Sequence, residues 1–478
     1  MTVETTQATD WPSLWRTGVL PRFCFVSLGI TFHAGAENMI STIMPSMVRD
    51  IGGIEMAGWS FAIYEIGSIV AGAVTGRLTT FWTVRTNMLI AALIFAIGAA
   101  ITGLAPTMPV ALGGRLVSGF GGGALIALSM VAIQRYFPSA IWPQLMAILS
   151  VVWGVTAFGG PLFGGLAVQY LNWRSGFLIF AGLAVIFGVA CLAVLRHEAP
   201  PRADRRSIGL FPFGALLVLA AGISLVATAG LERHPLLAAV FIAAGVAGIL
   251  GFFVLDSRNA SARLFPSRAL DPRTVLGSGM LMVATLSIST VSFLFYGPLL
   301  LAALHELSPV TTGLLIAAES VAWSVMSIVI ANAPRHREAL IIRLGALMIV
   351  GGLAGFAWAI PAGSLPGILV FAFMQGGGFG MAWPFVNRCV VEAAPVGEKE
   401  ITAAAFSTLQ RMGYATGGAF AGIIANANGF AEGFTRQTAA TAAQPLYLSF
   451  VPLALIGVFF AFRMSGLAAR NLAASAPR

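Results

Sequence analysis

The chain has 478 residues, of which 58% are apolar and only 9% charged, with a mean hydropathy of +0.88. Such a composition excludes a soluble globular protein. The net charge of +9 lies in short intervals between apolar runs and forms no single patch, so it excludes nucleic acid as a partner.

Taken in order, residues 1–22 are polar, with Trp11 and Trp15, and lack a small-residue cleavage site, which predicts an uncleaved cytoplasmic tail. Apolar runs follow near 23–47, 58–80, 88–105, 109–134, 144–170 and 176–195, then a pair near 207–230 and 235–255. Six more lie near 275–304, 311–332, 340–361, 366–391, 402–427 and 446–464, leaving a tail at 465–478. A bilayer core of ~30 Å needs about 20 apolar residues per helix, so the expectation is an all-α polytopic membrane protein of fourteen spans. The pair at 207–255 sits in a linker, 196–274, between six-span bundles at 23–195 and 275–464. Cytoplasmic segments carry the excess of arginine and lysine. With the N-terminus inside, inner segments hold 21 of the 27 basic residues and outer segments four, so both termini are expected in the cytoplasm. Lysine occurs once, at Lys399, against 26 arginines, which points to a GC-rich bacterial genome and hence an inner membrane. Cys24, Cys191 and Cys389 spell neither a disulfide framework nor a metal motif, and no metal site is expected.

The two bundles resemble each other internally. Gly119 and Pro138 are 19 residues apart in the fourth run, and Gly376 and Pro395 are 19 apart in its counterpart. The run after each is glycine-rich: Gly154, Gly159, Gly160, Gly164 and Gly165 in one, Gly413, Gly417, Gly418 and Gly422 in the other. Paired halves around a central site are a transporter architecture. Glycines and Pro161 inside a span bare the backbone to a neighbouring helix, and the stretch Gly154–Gly165 is expected to act as a packing face and hinge.

Ionisable residues within spans are costly and mark function by default. Glu37, Glu65, Glu319, Arg115 and Arg411 all fall near the middle third of their runs, and are the expected proton-coupling residues. They could instead be structural pairs, Arg115 with Glu37 or Glu65, and Arg411 with Glu319. His33 lies one turn before Glu37 on the same face. With Tyr64, Trp153, Tyr296, Trp323, Gln375, Asn387 and Tyr414 it supplies candidate lining for a substrate cavity. No phosphate-cradling loop is present, so the energy source is expected to be the proton gradient, without cofactor. No clustered nucleophile appears, so an enzyme is not expected. A receptor or scaffold would have little use for five mid-membrane charges.

These motifs resemble the major facilitator superfamily, in its fourteen-span drug–proton antiporter branch. Gly154-Val-Thr-Ala-Phe-Gly-Gly-Pro-Leu-Phe-Gly-Gly165 is similar to that branch's fifth-span signature, and Trp173-Arg174 with Phe177 to its W-R-x-x-F. Arg115-Leu-Val-Ser-Gly119-Phe-Gly121 resembles R-x-x-Q-G-x-G, with Ser118 in place of glutamine. Gly76, Arg77 and Arg85 resemble the cytoplasmic loop motif, whose aspartate is Thr80 here and whose second glycine is Thr83. The family's first-span aspartate falls at Ala36, beside Glu37. The resemblance implies a monomeric, proton-coupled exporter of small amphipathic molecules working by alternating access. Its alternative is an exporter of an endogenous metabolite such as a siderophore, with the arginines facing an anionic substrate.

Overall fold

The computed structural model describes residues 19–79, 81–138, 141–195, 212–259 and 263–475. Among them are fifteen α-helices and no strand. The first half holds α1 (Val19–Ile51), α2 (Ala57–Leu78), α3 (Val84–Gly103), α4 (Met108–Tyr136), α5 (Trp142–Tyr170) and α6 (Trp173–Val194). The hairpin is α7 (Phe213–Ala229) and α8 (Pro235–Arg258). The second half holds α9 (Val275–Leu304), α10 (Pro309–Val329), α11 (Glu338–Ala359), α12 (Leu365–Glu392), α13 (Lys399–Ala427), α14 (Arg436–Leu448) and α15 (Val451–Ser475).

By length and composition, twelve helical segments among the described residues can cross a membrane. The expected fourteen runs divide accordingly. At 17 residues α7 is apolar but shorter than any of the twelve, and α13, long enough at 29 residues, carries Lys399, Glu400 and Arg411 and is not among them. The run expected at 446–464 is broken at Ser449–Phe450, where Pro445 and Pro452 flank a turn, and its second helix runs on to Ser475.

The glycines of the repeat have matching duties. A side chain on Gly119 would collide with the Tyr64 carbonyl of α2, and one on Gly376 with the Glu319 carbonyl of α10. Four residues on, Gly123 meets the Ser68 carbonyl and Gly380 the Trp323 carbonyl. Both halves therefore draw the fourth helix against the second at backbone contact. Only glycine permits that approach.

Gly154–Gly165 packs on two partners. Gly160 and Gly164 lie against Asn38, Met39 and Thr42 of α1, whereas Gly154 and Gly165 face Ser324 and Pro309 of α10 in the other half. Pro161 has no N–H to give the Ala157 carbonyl. Ser320 of α10 donates to that carbonyl instead, at 3.4 Å. The device recurs at Pro384 of α12, where Ser327 donates to the freed Gly380 carbonyl at 3.1 Å. In lipid such carbonyls need a protein partner.

The halves meet along α5–α10 and α2–α13. The contacts run from Gly165–Pro309 and Gly58–Gly418 at the end holding the α1–α2 connection down to Gly154–Ser324 and Ser68–Arg411 at mid-depth. Beyond that depth Val151, Val325, Ile328, Ala404 and Ser407 are exposed. The bundle is shut at the α1–α2 end. An ion pair closes the same end within the first half: Asp50 accepts from Arg174 and, at 3.0 Å, from Trp173 Nε1.

Candidate functional site

At mid-depth the sequence places His33 and Glu37 one turn apart on α1, and Tyr64, Glu65 and Ser68 on one face of α2. Helical periodicity alone turns each set toward a common point. His33 Nε2 lies 3.5 Å from Glu37 Oε2 and 4.0 Å from Glu65 Oε1. From the second half Arg411 of α13 reaches into this group. It donates to His33 Nε2, stands 3.5 Å from Glu65 Oε2, and donates to Ser68 Oγ at 3.3 Å. His33 and Glu65 are buried, and Glu65 Oε1 has no hydrogen-bond partner.

Arg411 sets the imidazole tautomer. A guanidinium only donates, so Nε2 is the lone-pair nitrogen and Nδ1 of the neutral ring carries the hydrogen. The Tyr64 oxygen then accepts from Nδ1–H at 3.2 Å and gives its own proton to the His33 carbonyl at 3.1 Å. Gly122 makes room for this arrangement, since a Cβ there would lie 2.8 Å from the Tyr64 hydroxyl and 2.9 Å from His33 Nδ1. Arg115 lies beneath: its guanidinium carbon sits 4.0 Å from the Tyr64 ring centroid, and it donates to the carbonyls of Ser60 (3.3 Å) and Ala36 (3.2 Å). Arg115 thus braces Tyr64, and Tyr64 braces His33. The ligand atoms of His33, Glu37 and Glu65 lie within 4.8 Å of one another, close enough to hold a cation. The Arg411 guanidinium supplies that positive charge.

A second polar group lies in the other half. Gln375 Nε2 donates to Glu319 Oε1 at 2.9 Å, and Gln410 donates to the Tyr414 hydroxyl at 2.7 Å. Trp323 stacks on Phe379 at 4.9 Å and meets Trp383 edge-on at 6.1 Å.

The expected residues therefore separate. Glu37, Glu65 and Arg411 share one cluster, Arg115 props it, and Glu319 stands apart with Gln375. The alternative pairing fails in both parts: Arg115 binds carbonyls and not Glu37 or Glu65, and Arg411 meets Glu65 and not Glu319. His33 and Tyr64, read from sequence as cavity lining, belong to the charged cluster. Tyr296 is buried in the core against Gly58 and Gly422, Trp153 packs with the α1–α4–α5 cluster, and Asn387 is exposed. None of these three lines a site with Trp323, Gln375 and Tyr414. Ser68 and Gln410 were not anticipated, since a lone Ser or Gln in an apolar run carries no pattern of its own. Of the loop motif, Gly76 and Arg77 end α2 and Arg85 opens α3, while Thr80 lies outside the described residues. Thr83 caps α3, accepting from Thr86 N at 3.2 Å, which gives the family's glycine position a different use here.

Residues 26–418 match the Major Facilitator Superfamily. The chain belongs to that superfamily. It is a multi-pass membrane transporter, not an enzyme. A probable multidrug-efflux transporter of Mycobacterium tuberculosis (strain CDC 1551 / Oshkosh) is 28% identical over 466 residues, covering 94% of this chain and 96% of the relative. An efflux pump of Aspergillus brasiliensis is 26% identical over 313 residues, 62% of this chain and 55% of that protein. Among solved structures, a bacterial homologue of the human lysosomal transporter Spinster shares the fold with a TM-score of 0.61 at 13% identity, covering 96% and 97% of the two chains. The D-xylose–proton symporter does so at 0.61 and 14% identity, covering 94% and 97%.

Proposed function

We propose that this transporter is a proton-coupled exporter of small amphipathic molecules, monomeric, in a bacterial inner membrane. The observation that carries the reading is that Arg411 of one half occupies the His33 nitrogen of the other. A proton on Nε2 and an Arg411 N–H directed at Nε2 exclude each other. When the α1–α2 end is shut, Arg411 is seated and the His33–Glu37–Glu65 group is held without its protons. When that end opens, α13 parts from α2, Arg411 withdraws, and the group takes up protons in its place. Proton occupancy and conformation are thereby linked through one side chain.

Arginine placement puts the α1–α2 end outside and both termini in the cytoplasm. Protons then load from outside and leave inward, and substrate travels the opposite way. It enters between the exposed flanks of α5, α10 and α13 and meets the Glu319–Gln375 pair and the Trp323–Phe379–Trp383 aromatics. The names of the M. tuberculosis and A. brasiliensis relatives support efflux. Fourteen spans fit this arrangement: α13 lies between α2 and α9, so its mid-depth Arg411 faces protein, and α7 at 1.5 Å per residue reaches about 26 Å. The anionic-substrate alternative needs an arginine free to meet it, whereas Arg115 and Arg411 are committed to carbonyls and to the cluster.

The test is transport by the purified protein in proteoliposomes, using lipophilic dyes. Glu37→Gln and Glu65→Gln are each expected to abolish uptake driven by an imposed pH gradient while sparing counterflow. Gradient-driven transport that survives both substitutions would falsify the proton assignment.

A further inference from the structure

The hairpin α7–α8 belongs to neither half of the repeat, and the cycle above gives it no task. Its position does. α7 lies along the seam between α2 of the first half and α13 of the second, and touches both. Leu216, Leu219 and Ile223 sit beside Ile66, Ile69 and Val70 of α2. One to two turns further on, Val226 and Ala227 pack on Ala419 of α13, with Trp59 of α2 and Ile423 of α13 alongside. The helix therefore crosses the seam diagonally.

Its terminal turn is pinned there. Asn426 of α13 uses the two hydrogens of one amide on two carbonyls, Gly230 at the hairpin turn and Glu55 in the α1–α2 connection, each at 2.8 Å. Asn426 is itself 9% exposed. One side chain thus ties three segments: the second half, the hairpin and the first half. Beside it the two halves touch at backbone distance, since a Cβ on Gly58 would lie 2.7 Å from Gly418 O and 3.0 Å from Gly422 Cα. The amide is largely buried between half-buried carbonyls, so losing either bond leaves a polar group short of a partner.

We propose that the hairpin and Asn426 form a strap that holds the α1–α2 end shut. This rests on the alternating-access reading: opening that end separates α2 from α13, and Asn426 must then give up Glu55. The bond to Gly230 keeps the amide oriented while it does so, and the hairpin rides with α13. The strap sets how often that end opens. It takes no part in binding substrate or protons.

The experiment reads conformation and not transport. Spin labels at Thr107 in the first half and Glu306 in the second, both exposed at the α1–α2 end, report its opening by double electron–electron resonance on the full chain in lipid nanodiscs. Asn426→Ala and Asn426→Leu are each expected to raise the ratio of long to short distances about five-fold, the effect of one lost hydrogen bond. Alanine leaves a void and leucine fills it, so a shift in both identifies the amide. No shift in either, or a shift with leucine alone, overturns the strap. Where the leucine variant fails to fold, the alanine variant decides. An unsubstituted chain showing one distance at every pH would overturn the two-state motion itself, a failure distinguishable from the strap's.

Discussion

Arg411 of α13 and His33 of α1, 378 positions apart, meet through the one imidazole nitrogen that Tyr64 does not contact. That contact makes a proton acceptor in one half answer to the position of the other half.

The first expected outcome concerns stability. Arg411→Gln leaves Glu65 buried without its cation, and removing one partner of a buried pair costs about 3–5 kcal/mol. Thermal unfolding in detergent should drop steeply for Arg411→Gln and recover in Arg411→Gln/Glu65→Gln. A double variant as unstable as the single one would show that Arg411 is held for another reason.

His33→Asn should separate transport from proton flow. The variant keeps a polar group near Tyr64 but offers no nitrogen for which Arg411 and a proton compete. Substrate counterflow is expected to continue, while substrate-driven proton movement, followed with a pH-sensitive dye inside the vesicles, falls about a hundred-fold, the lower end of what one positioned proton-transfer group contributes. Wild-type proton flux in this variant would remove His33 from the relay.

Much of this was legible in the sequence, for physical reasons that also mark where legibility ends. Apolar length announced the helices, and the Gly119/Gly376 spacing announced the halves, because backbone contact between helices admits only glycine. Glu37, Glu65 and Arg411 stood out because a charge in lipid needs a cause. Which arginine meets which acid depends on how two halves dock, and no local pattern records docking. That is why a pairing of Arg411 with Glu319 stood open as the structural alternative, whereas Arg411 is found beside Glu65. His33 was visible as a neighbour of Glu37 yet read as lining, since its second partner comes from the far half. Composition alone leaves α13 outside the twelve for a related cause: Arg411 serves the interior, and with Lys399 and Glu400 at its start the helix that carries the cluster's cation is the least apolar of the long helices.

The proline-freed carbonyl offers a double-mutant cycle. Ser320→Ala removes the donor to Ala157 O and should cost about 1 kcal/mol, as a typical hydrogen bond does. In a Pro161→Ala background the restored N–H of residue 161 satisfies the same carbonyl within the helix. Ser320→Ala should then cost much less, giving a coupling measurable by chemical unfolding. Equal costs in both backgrounds would mean that the hydroxyl does not serve that carbonyl.

Gly159 tests whether Gly154–Gly165 is a hinge or only a packing face. Gly160 and Gly164 are pressed on α1, so alanine at either must force the helices apart, at about 1–3 kcal/mol. Nothing lies within 4 Å of a Cβ at Gly159. Packing therefore gives no reason for glycine there, and alanine should raise helix stability by about 1 kcal/mol. If flexibility at this position is used in the cycle, Gly159→Ala should unfold at a higher temperature and yet transport more slowly, with its distance distribution at the α1–α2 end narrowed. A variant that is more stable and transports at the wild-type rate would confine the stretch to packing, leaving the motion to the interfaces on either side of it.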